Sequence, residues 1–175
     1  LHSCTLVYRA VHPDYAYRNG NPAIIVGSIG VRYFGAKSRM ILTLKIGVKD
    51  ISIPNAPFIR PYFAYLQTPN AATAKSTHKS MNGDEGFRLI AIELNETTTN
   101  LVMEMLEANK VTIGFNRKKD GLDVLVPIDL TVFDAEVSDA GKVVRKRSNE
   151  ATTQFLGCFK KILEQAIQDV PKQRK

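Results

Sequence analysis

The stretch RMILTLKIGVKDISI, residues 39–53, reads as the clearest long β-strand of the chain, because Met40, Leu42, Leu44 and Ile46 alternate with other residues at a period of two. Gly47 marks a bend in it, and Pro54 and Pro57 end it. The same grammar is shorter on its N-terminal side. TLVYRA, within residues 4–10, and the segments 23–26 and 31–34 read as short strands, the last two set around Gly27 and Gly30. Between the first and second of these, His12-Pro13-Asp14 and Arg18-Asn19-Gly20-Asn21-Pro22 break regular structure.

On the C-terminal side, residues 62–66 form a further strand, rich in the aromatic residues that pleated surfaces favour. TPNAATAKSTHKSMNGDEG, residues 68–86, has no apolar periodicity and reads as a long exposed loop. FRLIAIEL, residues 87–94, is again a strand, after which Thr98 or Thr99 caps a helix carrying Leu101, Met105 and Leu106 on one face. VTIGF (111–115) and LDVLVPIDLTV (122–132) form a hairpin whose turn draws its positive φ angles from Asp120-Gly121. A polar connection through Asp139-Ala140-Gly141 leads to KVVRKR, residues 142–147, and Ser148 or Asn149 caps a last helix ending near residue 169. In that helix Phe155, Cys158, Phe159, Ile162, Leu163 and Ala166 recur at helical spacing, so one face packs on the sheet.

The expected architecture is therefore α+β: an antiparallel β-sandwich-like sheet with two packed helices. A single globular domain covers residues 1–170, followed by a basic disordered tail at 171–175.

A strand followed by LVMEMLEANKVTIGF, DVLVPIDL and a terminal helix of the type FLGCFKKIL resembles the closing portion of the invasion-associated locus B-like and type VI secretion-associated envelope proteins. The resemblance covers residues 87–163 and rests on hydrophobic spacing. It implies a small exported bacterial protein of the β-sandwich type without catalysis, periplasmic or secreted, whose signal peptide would precede Leu1. The chain departs from that pattern in its cysteines, of which there are only Cys4 and Cys158.

Those two cysteines admit three readings. In an oxidising compartment they pair, and closing so long a loop contributes about 4 to 5 kcal/mol. In the cytosol both are inert core thiols. The sequence Leu1-His2-Ser3-Cys4 also has part of the pattern of a lipidation site, with His2 in a poor place for it. Export favours the disulfide Cys4–Cys158.

Charge is unevenly spread. Residues 1–80 carry 10 Lys/Arg against 2 Asp/Glu, and residues 81–175 carry 14 against 15. The basic N-terminal half suits an acidic protein surface, nucleic acid or anionic lipid; its cations are scattered singly along strand-like segments, as on a solvated sheet face. No apolar run approaches the roughly 18 to 20 residues of a membrane span, and the longest, residues 41–48, is interrupted by Lys45.

Catalytic grammar is sparse. His2, His12 and His78 fall in a terminus or in loops without ligand spacing, and no Cys-x-x-Cys motif exists, so neither metal nor other cofactor is expected. Gly27-Ser28-Ile29-Gly30 lacks the following helix and Lys-Ser/Thr of a phosphate loop. Asp123 and Asp129 lie too far apart along one strand, at about 3.3 Å per residue, for a paired-carboxylate site. Arg145-Lys146-Arg147 resembles a short nuclear-import or phosphate-binding run, and Asn95-Glu96-Thr97 is formally a glycosylation sequon.

The function expected is that of an exported envelope protein, not an enzyme, that binds another protein with an acidic surface, as a secretion-system accessory or a toxin-neutralising partner. Lys75, His78 and Lys79 in the 68–86 loop are the expected contacts. The competing reading is a basic nucleic-acid-binding module in the cytosol, with tyrosines of the basic half stacking bases.

Overall fold

Alternating burial of Cys4, Leu6 and Tyr8 makes β1 (His2–Pro13) the first strand of an antiparallel meander that continues through β2 (Pro22–Phe34) and β3 (Arg39–Asp50). The structure, a computed structural model, describes residues 2–35, 39–73, 79–82, 84–137 and 142–169, with backbone only for 79–82 and 134–137. The expected tail at 171–175 lies outside the described residues. Between β1 and β2 the chain makes a single helical turn, α1 (Tyr15–Arg18), capped by the Asp14 carboxylate, which accepts from the Tyr17 N–H.

After the meander come β4 (Phe63–Gln67), β5 (Lys79–Asn82), β6 (Phe87–Glu93), α2 (Glu96–Ala108), β7 (Lys110–Asn116), β8 (Val124–Asp129), β9 (Val132–Val137), β10 (Val143–Ser148) and α3 (Glu150–Asp169). The described strands form three separate antiparallel sheets, ordered β1-β2-β3-β6-β5, β4-β7-β8 and β10-β9. The fold is thus α+β, but with three sheets where a sandwich-like sheet was expected, and with the one-turn α1 beside the two substantial helices α2 and α3.

Three segments differ from their sequence reading for identifiable reasons. Residues 23–34 are not two strands around glycines but one, because Tyr8 lies opposite Gly27 and covers it, its hydroxyl donating to the Lys45 carbonyl at 2.8 Å. The same device recurs where Phe87 lies opposite Gly47 and Tyr65 opposite Gly114: an aromatic ring fills the space that the glycine leaves on the pleat. The 68–86 loop is shorter than it reads, since β5 pairs with β6 and Thr73 is buried, its hydroxyl accepting from the Leu66 N–H. Residues 122–132 break at Leu130-Thr131, and the chain then pairs β9 with β10, drawn from the polar connection and the basic run KVVRKR that followed it in the sequence reading. Nothing in VVRKR alternates against a core, and its side chains are exposed.

Helix α2 begins earlier than Thr98. Asn95 is its cap, with its side chain accepting from the Thr98 N–H while the Thr98 hydroxyl accepts from the Asn95 N–H, a reciprocal capping box. In the β7–β8 turn only Asp120 of the Asp-Gly pair takes a positive φ, 55°.

One hydrophobic cluster joins the inner side of the five-stranded sheet to β4, β7, β8, α2 and α3. Cys4 and Cys158 are disulfide-bonded, with Cα atoms 6.0 Å apart, fastening edge strand β1 to α3. The far end of α3 is held by Asp169, which accepts from the Tyr33 hydroxyl at 2.8 Å.

Candidate functional site

Burying one side of a strand exposes the other, so the register of the meander decides which residues share its open face. Opposite the buried set lie, row by row across β1, β2, β3 and β6, Ser3-Arg32-Ile41-Glu93, then Thr5-Gly30-Thr43-Ala91, then Val7-Ser28-Lys45-Leu89. Arg9-Val26-Gly47-Phe87 and Val11-Ile24-Lys49 complete the surface. Arg9, Arg32, Arg39, Lys45 and Lys49 therefore belong to one face, on which Glu93 is the only carboxylate contributed by these four strands. Among the described residues Arg9, Arg32, Arg39 and Lys49 have no ion-pair partner. Aliphatic side chains stand between the cations: Val7 is 83% exposed and Val11 62%.

At the middle of the face is a depression of about 380 Å³ lined by Thr5, Ser28, Arg32, Thr43, Lys45, Asp84 and Leu89. It exists because Gly30 has no side chain; a Cβ there would lie 3.0 Å from the Thr43 hydroxyl and 3.2 Å from that of Thr5. Thr43 is buried and donates to the Gly30 carbonyl at 3.1 Å. Asp84, in the turn before β6, pairs with Lys45, whose ammonium also lies 4.9 Å from the centroid of the Phe87 ring. The arrangement offers hydroxyl and cationic donors to an anion and apolar contacts beside it.

A larger cleft of about 430 Å³ lies where Arg39, Ile41 and Glu93 meet Thr73 and the start of α2. Its charges are mixed, and the N–H groups of Asn95 and Thr98 there are already occupied by the capping box.

Away from this face is a buried ionic cluster. Arg117, in the β7–β8 turn, places Nη2 2.8 Å from both Asp14 Oδ2 and Asp50 Oδ1, and Arg18 approaches Asp50 at 3.5 Å. The contact with Asp14 is close enough for an ion pair but not aligned for a hydrogen bond. The cluster joins the β1–β2 connection, the end of β3 and the β7–β8 turn, and lines no cavity described above.

Of the expected contacts, Lys75 and His78 lie outside the described residues. Lys79 opens β5 opposite Ala91, at the edge of the five-stranded sheet, and its side chain is not described. Cys4 and Cys158 are bonded to each other, the first of the three readings that the sequence admits. The separated carboxylates serve local structure. Asp123 accepts from the Tyr65 hydroxyl at 2.8 Å, and burial followed by this bond pushes the phenol up to about 12. Asp129 accepts from the Thr131 hydroxyl and N–H and from Arg147, which hold its carboxyl below the ordinary range. The tyrosines proposed to stack bases are in part withdrawn from solvent: Tyr8, Tyr33 and Tyr65 are buried, whereas Tyr15 and Tyr62 are exposed. Among the described residues no cluster of three or more His, Cys, Asp or Glu side chains could hold a metal ion, and no helix is long and apolar enough to cross a membrane.

What sequence reading missed was the assembly of the cations. Lys45 and Lys49 fall opposite in parity to Met40, Leu42, Leu44 and Ile46, so their shared face was available from the alternation of β3 alone. Arg9 and Arg32 join them only through strand register. Comparison with known proteins found no matching family model, no similar curated protein and no similar solved structure.

Proposed function

We propose that the chain is an exported envelope protein, periplasmic or secreted, that acts without catalysis as a protein-binding module and engages an acidic partner surface through the outer face of its five-stranded sheet. The observation that carries this reading is the gathering of Arg9, Arg32, Arg39, Lys45 and Lys49 on one face with exposed aliphatic residues between them. Charge of one sign steers a partner of the other, and interleaved apolar area holds it once docked. In this reading the five- and three-stranded sheets serve as the two layers of a sandwich-like scaffold. The Cys4–Cys158 bridge supports export, because such bonds persist in oxidising compartments. The resemblance of residues 87–163 to envelope proteins supports the same location.

Two measurements test it. Protein from its native host is alkylated with and without reduction and its intact mass taken; alkylation of both thiols without reduction counts against export. Binding to an acidic peptide is then compared between the native chain and Arg9→Glu/Lys49→Glu. The reversal is expected to abolish binding, and unchanged affinity refutes the assignment of the face. Tighter, steeply salt-dependent binding to an oligonucleotide on the same residues replaces it with the nucleic-acid reading.

A further inference from the structure

The depression over Gly30 already holds one carboxylate. The Asp84 side chain, 74% exposed, pairs with Lys45 at its rim, while Arg32 also lines it and has no ion-pair partner among the described residues. The hydroxyls of Thr5 and Ser28 line the same space. We propose that this depression receives a carboxylate side chain from an acidic segment of a protein partner, and that Asp84 is an internal competitor that occupies Lys45 until the partner displaces it. The inference rests on the binding-module reading above and assigns its central contact.

Three features point to this occupant. Asp84 shows that a carboxylate reaches Lys45 in this setting. An ion pair so exposed is weak, so a second carboxylate can exchange with it. Val7 and Leu89 stand in the same cross-strand row as Lys45, which suits a segment with aliphatic residues beside its acidic ones. Single-stranded nucleic acid is the poorer fit at the depression, because stacked bases need open aromatic rings, and the exposed Phe34 ring of this face stands at its end beside Arg39, outside the depression. The Phe87 ring on this face is engaged by Lys45 and by Phe58, whose ring centroid is 5.1 Å away.

The test is fluorescence anisotropy of a short fluorescein-labelled peptide rich in glutamate and leucine, titrated with the oxidised full chain. Asp84→Asn is expected to tighten binding about twofold to fivefold, the range that loss of one exposed ion pair permits. Arg32→Met and Lys45→Met weaken it. Glu107→Gln on α2 makes the same change in net charge as Asp84→Asn but away from the face, and leaves affinity unchanged; Lys118→Met in the β7–β8 turn is the matching control for Arg32→Met and Lys45→Met, and it too leaves affinity unchanged. Equal tightening by Asp84→Asn and Glu107→Gln overturns the proposal, since general electrostatics then accounts for both. If Arg9→Glu/Lys49→Glu abolishes binding while Asp84→Asn is neutral, the face reading survives and the competitor falls. A labelled oligothymidylate that displaces the peptide and is itself tightened by Asp84→Asn overturns the peptide as occupant in favour of phosphate.

Discussion

Replacing both cysteines, as Cys4→Ala/Cys158→Ala, removes a crosslink between residues 154 apart in sequence. In the chain-entropy treatment, freeing a loop of that length raises the entropy of the unfolded chain enough to cost about 5 kcal/mol at 25 °C. Total stabilities of about 5 to 15 kcal/mol make that a third or more of what a domain of this size has to lose. At about 2.1 cal/mol/K per residue the unfolding entropy of the chain is about 0.4 kcal/mol/K, so the midpoint falls by on the order of 10 °C. Urea unfolding followed by circular dichroism, on the oxidised native chain and the double variant, measures this directly. The m-value should rise with the loss of stability, because the uncrosslinked denatured chain exposes more surface. Hydrogen exchange should show the β1 amides losing protection first, since β1 lies at the sheet edge and the bridge fastens it to α3. A difference below about 1 kcal/mol with an unchanged m-value would refute the reasoning, because β1 would then be held by packing alone.

Gly27→Ala should destabilise by more than about 3 kcal/mol, because the new methyl would overlap the Lys45 carbonyl and lie 2.6 Å from the Tyr8 hydroxyl. By contrast Gly157→Ala, in the middle of α3 with open space around it, should stabilise by about 0.5 to 1 kcal/mol, both read from thermal midpoints. Arg117→Met leaves buried Asp14 without a cation and Asp50 with only Arg18 at 3.5 Å, and should cost about 3 to 5 kcal/mol in denaturant titration; recovery of most of that loss in Arg117→Met/Asp14→Asn would show that charge rather than packing was removed. Because folding raises the Tyr65 phenol to about 12, its contribution is complete below the unfolded value near 10 and is lost as pH rises from there through about 12. Tyr65→Phe should blunt that alkaline decline, and an identical pH-stability curve counts against it.

The legible parts of the fold were those in which a residue's fate depends on its near neighbours. Alternation located β3 and β6, and helical spacing placed α3 almost to the residue, with the Ser148 hydroxyl accepting from the Glu150 N–H at its start. The errors arose where the decisive partner is distant. Gly27 reads as a strand breaker until Tyr8 is known to lie across it, and β9 and β10 do not read as strands because they support each other rather than a core. The Asn95 cap was obscured because Thr98, one of the two residues read as the cap, is its reciprocal partner. The candidate face shows the same division, its cations countable but not assignable to one surface before the register of β1 and β2 was known. Asp14, Asp50 and Arg117 have no local signature at all, being joined only by the approach of three separate turns and strand ends.

Those distant contacts also bear on the specificity that the proposed face, built partly on an edge strand, would need. An edge strand is paired on one side only, and β1 contributes Thr5, Val7, Arg9 and Val11 to the proposed surface. Left to hairpin pairing alone it would fray and carry those groups with it, and ordering them on binding would subtract from affinity. The chain prevents this at both ends of the strand. Cys4 ties one end to α3, and at the other Asp14, one residue past the strand, is locked to Arg117 in the β7–β8 turn. Between these points Leu6 and Tyr8 pack inward, and the Tyr8 hydroxyl crosses β2 to reach the Lys45 carbonyl. The backbone that presents Lys45 outward is thus held from the inner side by the strand whose Thr5 lines the same depression. The disulfide, the ionic cluster and the covered glycine act on one object, the geometry of β1 against β2 and β3, and that geometry sets where the cations of the outer face stand.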